Sequence, residues 1–136
     1  GSGHPRKQGG DTMTALSDAQ SHLRKAQQFL ESARLSHDSG LYDAAASSAV
    51  VSGINSKDAL CLAVTGKTSK SEDHSRAVKE LRESGPTGAT LAPTFSRLLG
   101  LKTPSQYLAK ETVASQAEKA IEWAQRMYEA ASTVVR

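Results

Sequence analysis

Three stretches of this chain place apolar or small residues at alternating steps of three and four. They are Leu16, Ala19, Leu23, Ala26, Leu30 and Ala33; Ala45, Ala49, Ser52, Ser56, Ala59 and Ala63; and Ala117, Ala120, Ala124, Met127, Ala131 and Val134. That spacing gathers every member on one face of an α-helix, whereas in a strand it would scatter them over both faces. The chain is therefore read as all-α, a five-helix up-and-down bundle.

At 136 residues the chain has the size of one domain, long enough for a single core without disulfide or metal. Aromatic residues are only 4% of it, so the alanine- and serine-rich seams bring the helices close and leave apolar surface for a second subunit to cover. The opening GSGHPRKQGG is glycine-rich and aperiodic and reads in part as a cloning remnant. Residues 1–14 are accordingly expected to be a disordered tail, and residues 15–136 a single helical domain.

The formal charge of +3 points at first to an anionic partner, but Arg6 and Lys7 lie in the tail, and without them the rest is within one charge of neutral. Lys67, Lys70, Arg76, Lys79 and Arg82 are interleaved with Glu72, Asp73, Glu80 and Glu83, the pattern of a solvated mixed-charge face. A duplex-DNA binder shows a basic face for phosphate contacts, and none is expected here. Cys61, the single cysteine, lies between Leu60 and Leu62 and reads as a small core residue; no disulfide, CxxC or metal-ligand spacing can be built on it, and no cofactor is expected. No apolar run approaches the roughly 20 residues of a spanning helix, and no signal peptide is visible, so a soluble cytoplasmic protein without membrane contact is expected.

Along the chain, Ser17 is the expected N-cap of a first helix ending near Asp38, with Ser39-Gly40 as its stop. A second helix runs from Leu41 or Tyr42 to Thr65, stopped by Gly66. Inside it the polar set Asn55, Ser56, Lys57 and Asp58 interrupts an apolar text, so it faces either water or groups that hydrogen-bond it. Glu72 and Asp73 fall in the first turn of a third helix ending near Ser84, with His74, Ala77, Val78 and Leu81 inward. Gly85-Pro86-Thr87-Gly88 reads as a loop, and a fourth helix is expected from about Leu91 to Leu99 or Leu101, with Pro93 in its first turn. After an irregular stretch to Glu111, the last helix opens at Ser115, which forms a capping-box pattern with Glu118, or at Thr112.

Gly66-Lys67-Thr68 imitates the end of a phosphate-binding P-loop, but that motif needs a glycine where Cys61 stands and a strand where the second helix runs. Glu72, Asp73 and His74 point in different directions from a helix start and make no metal site. His22 and His37 lie on the first helix, and no nucleophile–histidine–acid set can be assembled around them. His74 is the histidine of interest. It is expected to point into the bundle and to be tied to Asp58 or Asn55, with a general acid–base role as the sharper alternative.

Several stretches carry a family likeness: the Tyr42-Asp43-Ala44-Ala45 start of the second helix after a short turn, Asp73-His74 at the third, then FSRLLGLKTPSQYLAKET and an alanine-rich last helix. In this order the chain resembles the HEPN family of small helical bundles from bacterial toxin–antitoxin and defence systems, over most of its length after about Ser17. The resemblance implies a homodimer. Many members of the family are metal-independent endoribonucleases whose arginine and histidine, four to six residues apart, meet across the dimer. That spacing is absent here; the nearest formal match, Lys67 to His74, has lysine for arginine, and the irregular stretch carries Lys102 and Tyr107 instead. Lysine is a point charge without arginine's fork, and tyrosine is a poor proton shuttle at neutral pH.

The reading that follows is a non-catalytic HEPN-like partner module, paired with a nucleotidyltransferase and binding nucleotide or RNA. Asn55, Asp58, His74, Lys102 and Tyr107 are its candidate ligand- or partner-facing residues. The alternatives are an endoribonuclease toxin using His74 or Tyr107 in an atypical site, and a structural interaction domain.

Overall fold

The computed structural model describes residues 4–70, 73–101 and 111–135, with side chains from Met13 onward. Among the described residues there are five helices and no strand: α1 (His4–Asp38), α2 (Tyr42–Thr65), α3 (His74–Glu83), α4 (Pro86–Gly100) and α5 (Ala114–Val134). None of these helices is long and apolar enough to cross a membrane. The all-α bundle read from the sequence is the fold observed.

The three seams are its core. Ala19, Ala26, Leu30 and Ala33 of α1, Ala45, Ala49, Ser52, Ser56 and Ala59 of α2, and Ala117, Ala120, Ala124, Met127 and Ala131 of α5 are all buried. Leu23 and Ala63 are only half-buried, and the two ends of the pattern differ. Leu16 is 45% exposed and Ala15 is buried in its place, while Val135 is buried just beyond the last turn of α5. A step of four keeps a residue on the same face as well as a step of three, and at the start of α1 the smaller side chain takes the seam.

Close approach also explains the serine and glycine in α2. Buried Ser52 donates its hydroxyl to Ala26 O at 2.7 Å, tying α2 to the backbone of α1. A Cβ on Gly53 would stand 2.3 Å from Leu98 Cδ2, so α4 rests directly on α2 there. Leu60, Leu81, Phe95, Leu98 and Met127 fill the centre among the alanines. α2 packs against each of the other four helices, and this central position buries the polar run that the sequence left facing either way.

Helix ends follow local chemistry. α1 stops at Gly40, whose φ of +76° lets Leu41 N–H donate to Ser36 O at 2.8 Å. α2 stops at left-handed Gly66. Four expected starts move. α1 begins at His4, so Ser17 lies within it instead of capping it. α4 begins at Pro86, because proline at the first helical position has a preset φ and no N–H to satisfy; the expected loop at 85–88 is its first turn, and Pro93 lies inside the helix. α5 begins at Ala114, with Gln116 Oε1 accepting from Val113 N–H at 3.1 Å, where the sequence offered Thr112 or Ser115. Asp73 is the cap of α3 and not part of its first turn, accepting from Ser75 N at 3.0 Å and Arg76 N at 3.4 Å.

The Tyr-Asp-Ala-Ala start of α2 closes one end of the bundle. The Tyr42 ring packs on His37 at 5.4 Å between centroids, Asp43 Oδ1 accepts from Thr112 N at 2.9 Å, and Ala45 is fully buried. The hydrogen bonds from Thr112 hold the Asp43 carboxyl below its ordinary range.

Candidate functional site

At the other end of α2 the polar run meets the loop that follows it. Lys57 is only 2% exposed, although lysine is among the residues least often buried. Its ammonium donates to Thr68 Oγ1 at 2.9 Å, reaches Asp58 Oδ1 at 3.4 Å, and pairs with Glu80 of α3. Asp58, also buried, accepts from Thr68 Oγ1 at 2.5 Å and has Lys70 Nζ 3.7 Å from its other oxygen. Glu80 Oε1 further accepts from Ser69 N at 3.0 Å. Two lysines therefore balance two acids, and the ammonium of Lys57 has acceptors on every side, the condition for holding a charge away from water.

Burial pushes the Glu80 carboxyl upward, but hydrogen bonds from Lys57 and Ser69 outweigh it and hold it below the usual carboxylate range. Cys61 lies one turn along from Lys57, and burial pushes its thiol up to about 11, which keeps it protonated and inert.

The cluster extends to α1 through His22. Asn55 Nδ2 donates to Val51 O at 2.9 Å, so the amide turns its oxygen to His22 Nδ1, 2.8 Å away. His22 must then donate from Nδ1, leaving Nε2 to accept from Lys70 Nζ at 3.2 Å. The network assigns this tautomer. His22, Asn55, Lys57, Asp58, Thr68, Lys70 and Glu80 together clasp the loop after α2 to three helices. The Gly66-Lys67-Thr68 triplet has its structural use here, since Thr68 bridges Lys57 and Asp58.

The structure thus brings Asn55 and Asp58 together and leaves His74 out. The expected tie between His74 and Asp58 or Asn55 is not found; His22 fills that place, reaching Asn55 from α1. His74 instead lines an open groove between α3 and α4, with Ser75, Val78, Lys79, Arg82, Ser96, Leu99 and Gly100. Lys102 and Tyr107 lie outside the described residues. Sequence reasoning misses His22, Thr68, Lys70 and Glu80. A signal existed for the first, because His22 adjoins the seam of Ala19, Leu23 and Ala26 and cannot be far from α2.

Chemically the clasp is spent on itself. Each carboxylate is charge-paired, the thiol is protonated, and the histidine has both nitrogens occupied, so no group is free to take a proton from a substrate. Among the described residues, no group of three or more His, Cys, Asp or Glu is placed to hold a metal ion. The groove is the other candidate, with one half-buried histidine beside two exposed cations.

No curated protein matches the chain. A model of the HEPN domain matches residues 19–134, which takes in α2 to α5 and most of α1. The match covers well over half of the sequence and agrees with the all-α bundle, and the chain belongs to the HEPN domain family.

Proposed function

We infer that this chain is a non-catalytic HEPN partner module of the toxin–antitoxin or defence type. It acts as a homodimer beside a nucleotidyltransferase and serves that partner or its RNA or nucleotide ligand by binding rather than by chemistry. The observation that carries the non-catalytic part is the internal pairing of the clasp. Phosphodiester cleavage by the ribose 2′-hydroxyl needs a free base and a fixed cation on the phosphate, whereas Lys57 is occupied by Asp58 and Glu80, and His22 by Asn55 and Lys70. The missing arginine–histidine spacing supports the same reading.

A second reading has one observation in its favour. His74 shares its groove with Lys79 and Arg82, so a base and two cations stand together. Against it, His74 makes no hydrogen bond to a described residue that would orient it for proton transfer. Incubating purified protein with total transfer RNA and a structured messenger, with chelator present, decides between them. Intact RNA, together with co-purification of a nucleotidyltransferase encoded beside the chain, is the expected result. Specific cleavage that is lost in His74→Ala overturns it.

A further inference from the structure

Resting on the partner-module reading, we propose that the α3/α4 groove is where the partner docks, and that its occupant is an acidic peptide segment with apolar anchors. The lining residues of α3 follow at i, i+1, i+4, i+5 and i+8, one helix face, and this face sorts charges that alternate in the sequence. Lys79 and Arg82 look onto the groove, whereas Glu80 is drawn away to Lys57 of α2. Glu83, next to Arg82 in sequence, is not among the residues lining the groove, and Asp73 caps the helix, accepting from the backbone of Ser75 and Arg76.

Among the described residues no acid lines the groove, and no carboxylate lies within ion-pair distance of Lys79 or Arg82, both exposed. Two cations without counter-charges ask for an acidic ligand, and Arg82 offers a fork that fits a carboxylate in two hydrogen bonds. Between them the floor is apolar, made of Val78 and Leu99. The far rim is Gly100, where a Cβ would meet nothing within 4 Å, so a chain can approach the backbone closely.

These features favour peptide over nucleic acid. Single strands are held by aromatic platforms and a basic track along the backbone, and among its described lining residues this groove has two exposed cations, Lys79 and Arg82, and no aromatic ring except the His74 imidazole. An acidic peptide with leucine anchors uses both the charge and the floor.

The test uses the full chain and a fluorescent peptide of repeated Leu-Glu-Glu, with a Leu-Gln-Gln control and an oligouridylate RNA as competitors. Anisotropy is expected to rise with the acidic peptide alone, to weaken with salt, and to move the methyl resonances of Val78 and Leu99. The double variant K79E/R82E, changed only at exposed positions, is expected to keep its unfolding midpoint and lose at least about tenfold in affinity, the equivalent of about 1.4 kcal/mol. No binding of the acidic peptide, binding that the double variant leaves unchanged, or displacement by RNA with the same sensitivity to the variant overturns the proposal. Co-purification of the neighbouring nucleotidyltransferase that survives K79E/R82E would sink the groove alone and leave the partner-module reading standing, whereas specific RNA cleavage would sink that reading itself.

Discussion

Lys57, buried in the middle of α2, reaches the carboxylate of Glu80 on α3, and this is the one hydrogen bond among the described residues that joins those two helices directly. Removing the cation leaves Asp58 buried with its charge poorly compensated, since Lys70 lies 3.7 Å away and is largely exposed. Breaking one side of a buried pair costs more than the pair contributes. Lys57→Met is expected to destabilise the fold by about 3 kcal/mol, and adding Asp58→Asn and Glu80→Gln to it should recover part of the loss. Chemical denaturation of the three proteins checks this, and an unchanged midpoint for Lys57→Met would contradict a structural clasp.

Acid acts on the same pair. The folded-state value of Glu80 lies below its ordinary 4.5, so its contribution is fully present above that value and is lost as pH falls through the lowered one. Glu80→Gln has no such charge to lose. The stability difference between the parent and Glu80→Gln should be constant at neutral pH and shrink only in the acid limb; a difference that grows in acid would reverse the assigned direction.

Three glycines on packed helices should respond differently to the same change. A Cβ on Gly88 would stand 2.0 Å from the backbone oxygen of Leu81 and 2.3 Å from Ser84 Oγ, and a backbone atom cannot step aside. Gly88→Ala is expected to cost about 2 kcal/mol. At Gly53 the obstacle is the end of the Leu98 side chain, and helix propensity returns part of the penalty, leaving about 1 kcal/mol. Gly100, open at the end of α4, should gain about 0.5 kcal/mol as alanine. Melting midpoints in the order Gly100→Ala, parent, Gly53→Ala, Gly88→Ala are the expected outcome.

The fold was legible because its core is periodic. Alanines at steps of three and four on α1, α2 and α5 need no tertiary knowledge to be placed on one face. Helix starts were less so: Pro86 reads as a loop residue beside two glycines, although proline in the first turn and Gly88 against Leu81 are what let α3 and α4 meet across a tight turn. Of the site, the sequence showed that Asn55, Lys57 and Asp58 needed partners and could not show which. Thr68 and Glu80 reach Lys57 from 11 and 23 residues away, and nothing in local pattern fixes which turn of α3 faces α2. The same freedom of helix rotation lets the sequence point His74 toward Asp58, whereas in the bundle it faces α4.

That rotation yields a direct comparison of two histidines. His22 donates to Asn55 Oδ1, whose amide is held in place by Val51 O, and it also receives Lys70. Replacing it with alanine leaves Asn55 Oδ1, on a residue 9% exposed, without its donor, and a partly buried acceptor stranded in this way costs about 1 to 2 kcal/mol. His74 makes no hydrogen bond within the bundle that its loss would strand, so His74→Ala should stay within about 0.5 kcal/mol of the parent. Denaturation of the two variants side by side checks the pair. Equal losses would place both histidines in structural roles, and a larger loss at His74 would restore the link to α2 that the sequence implied.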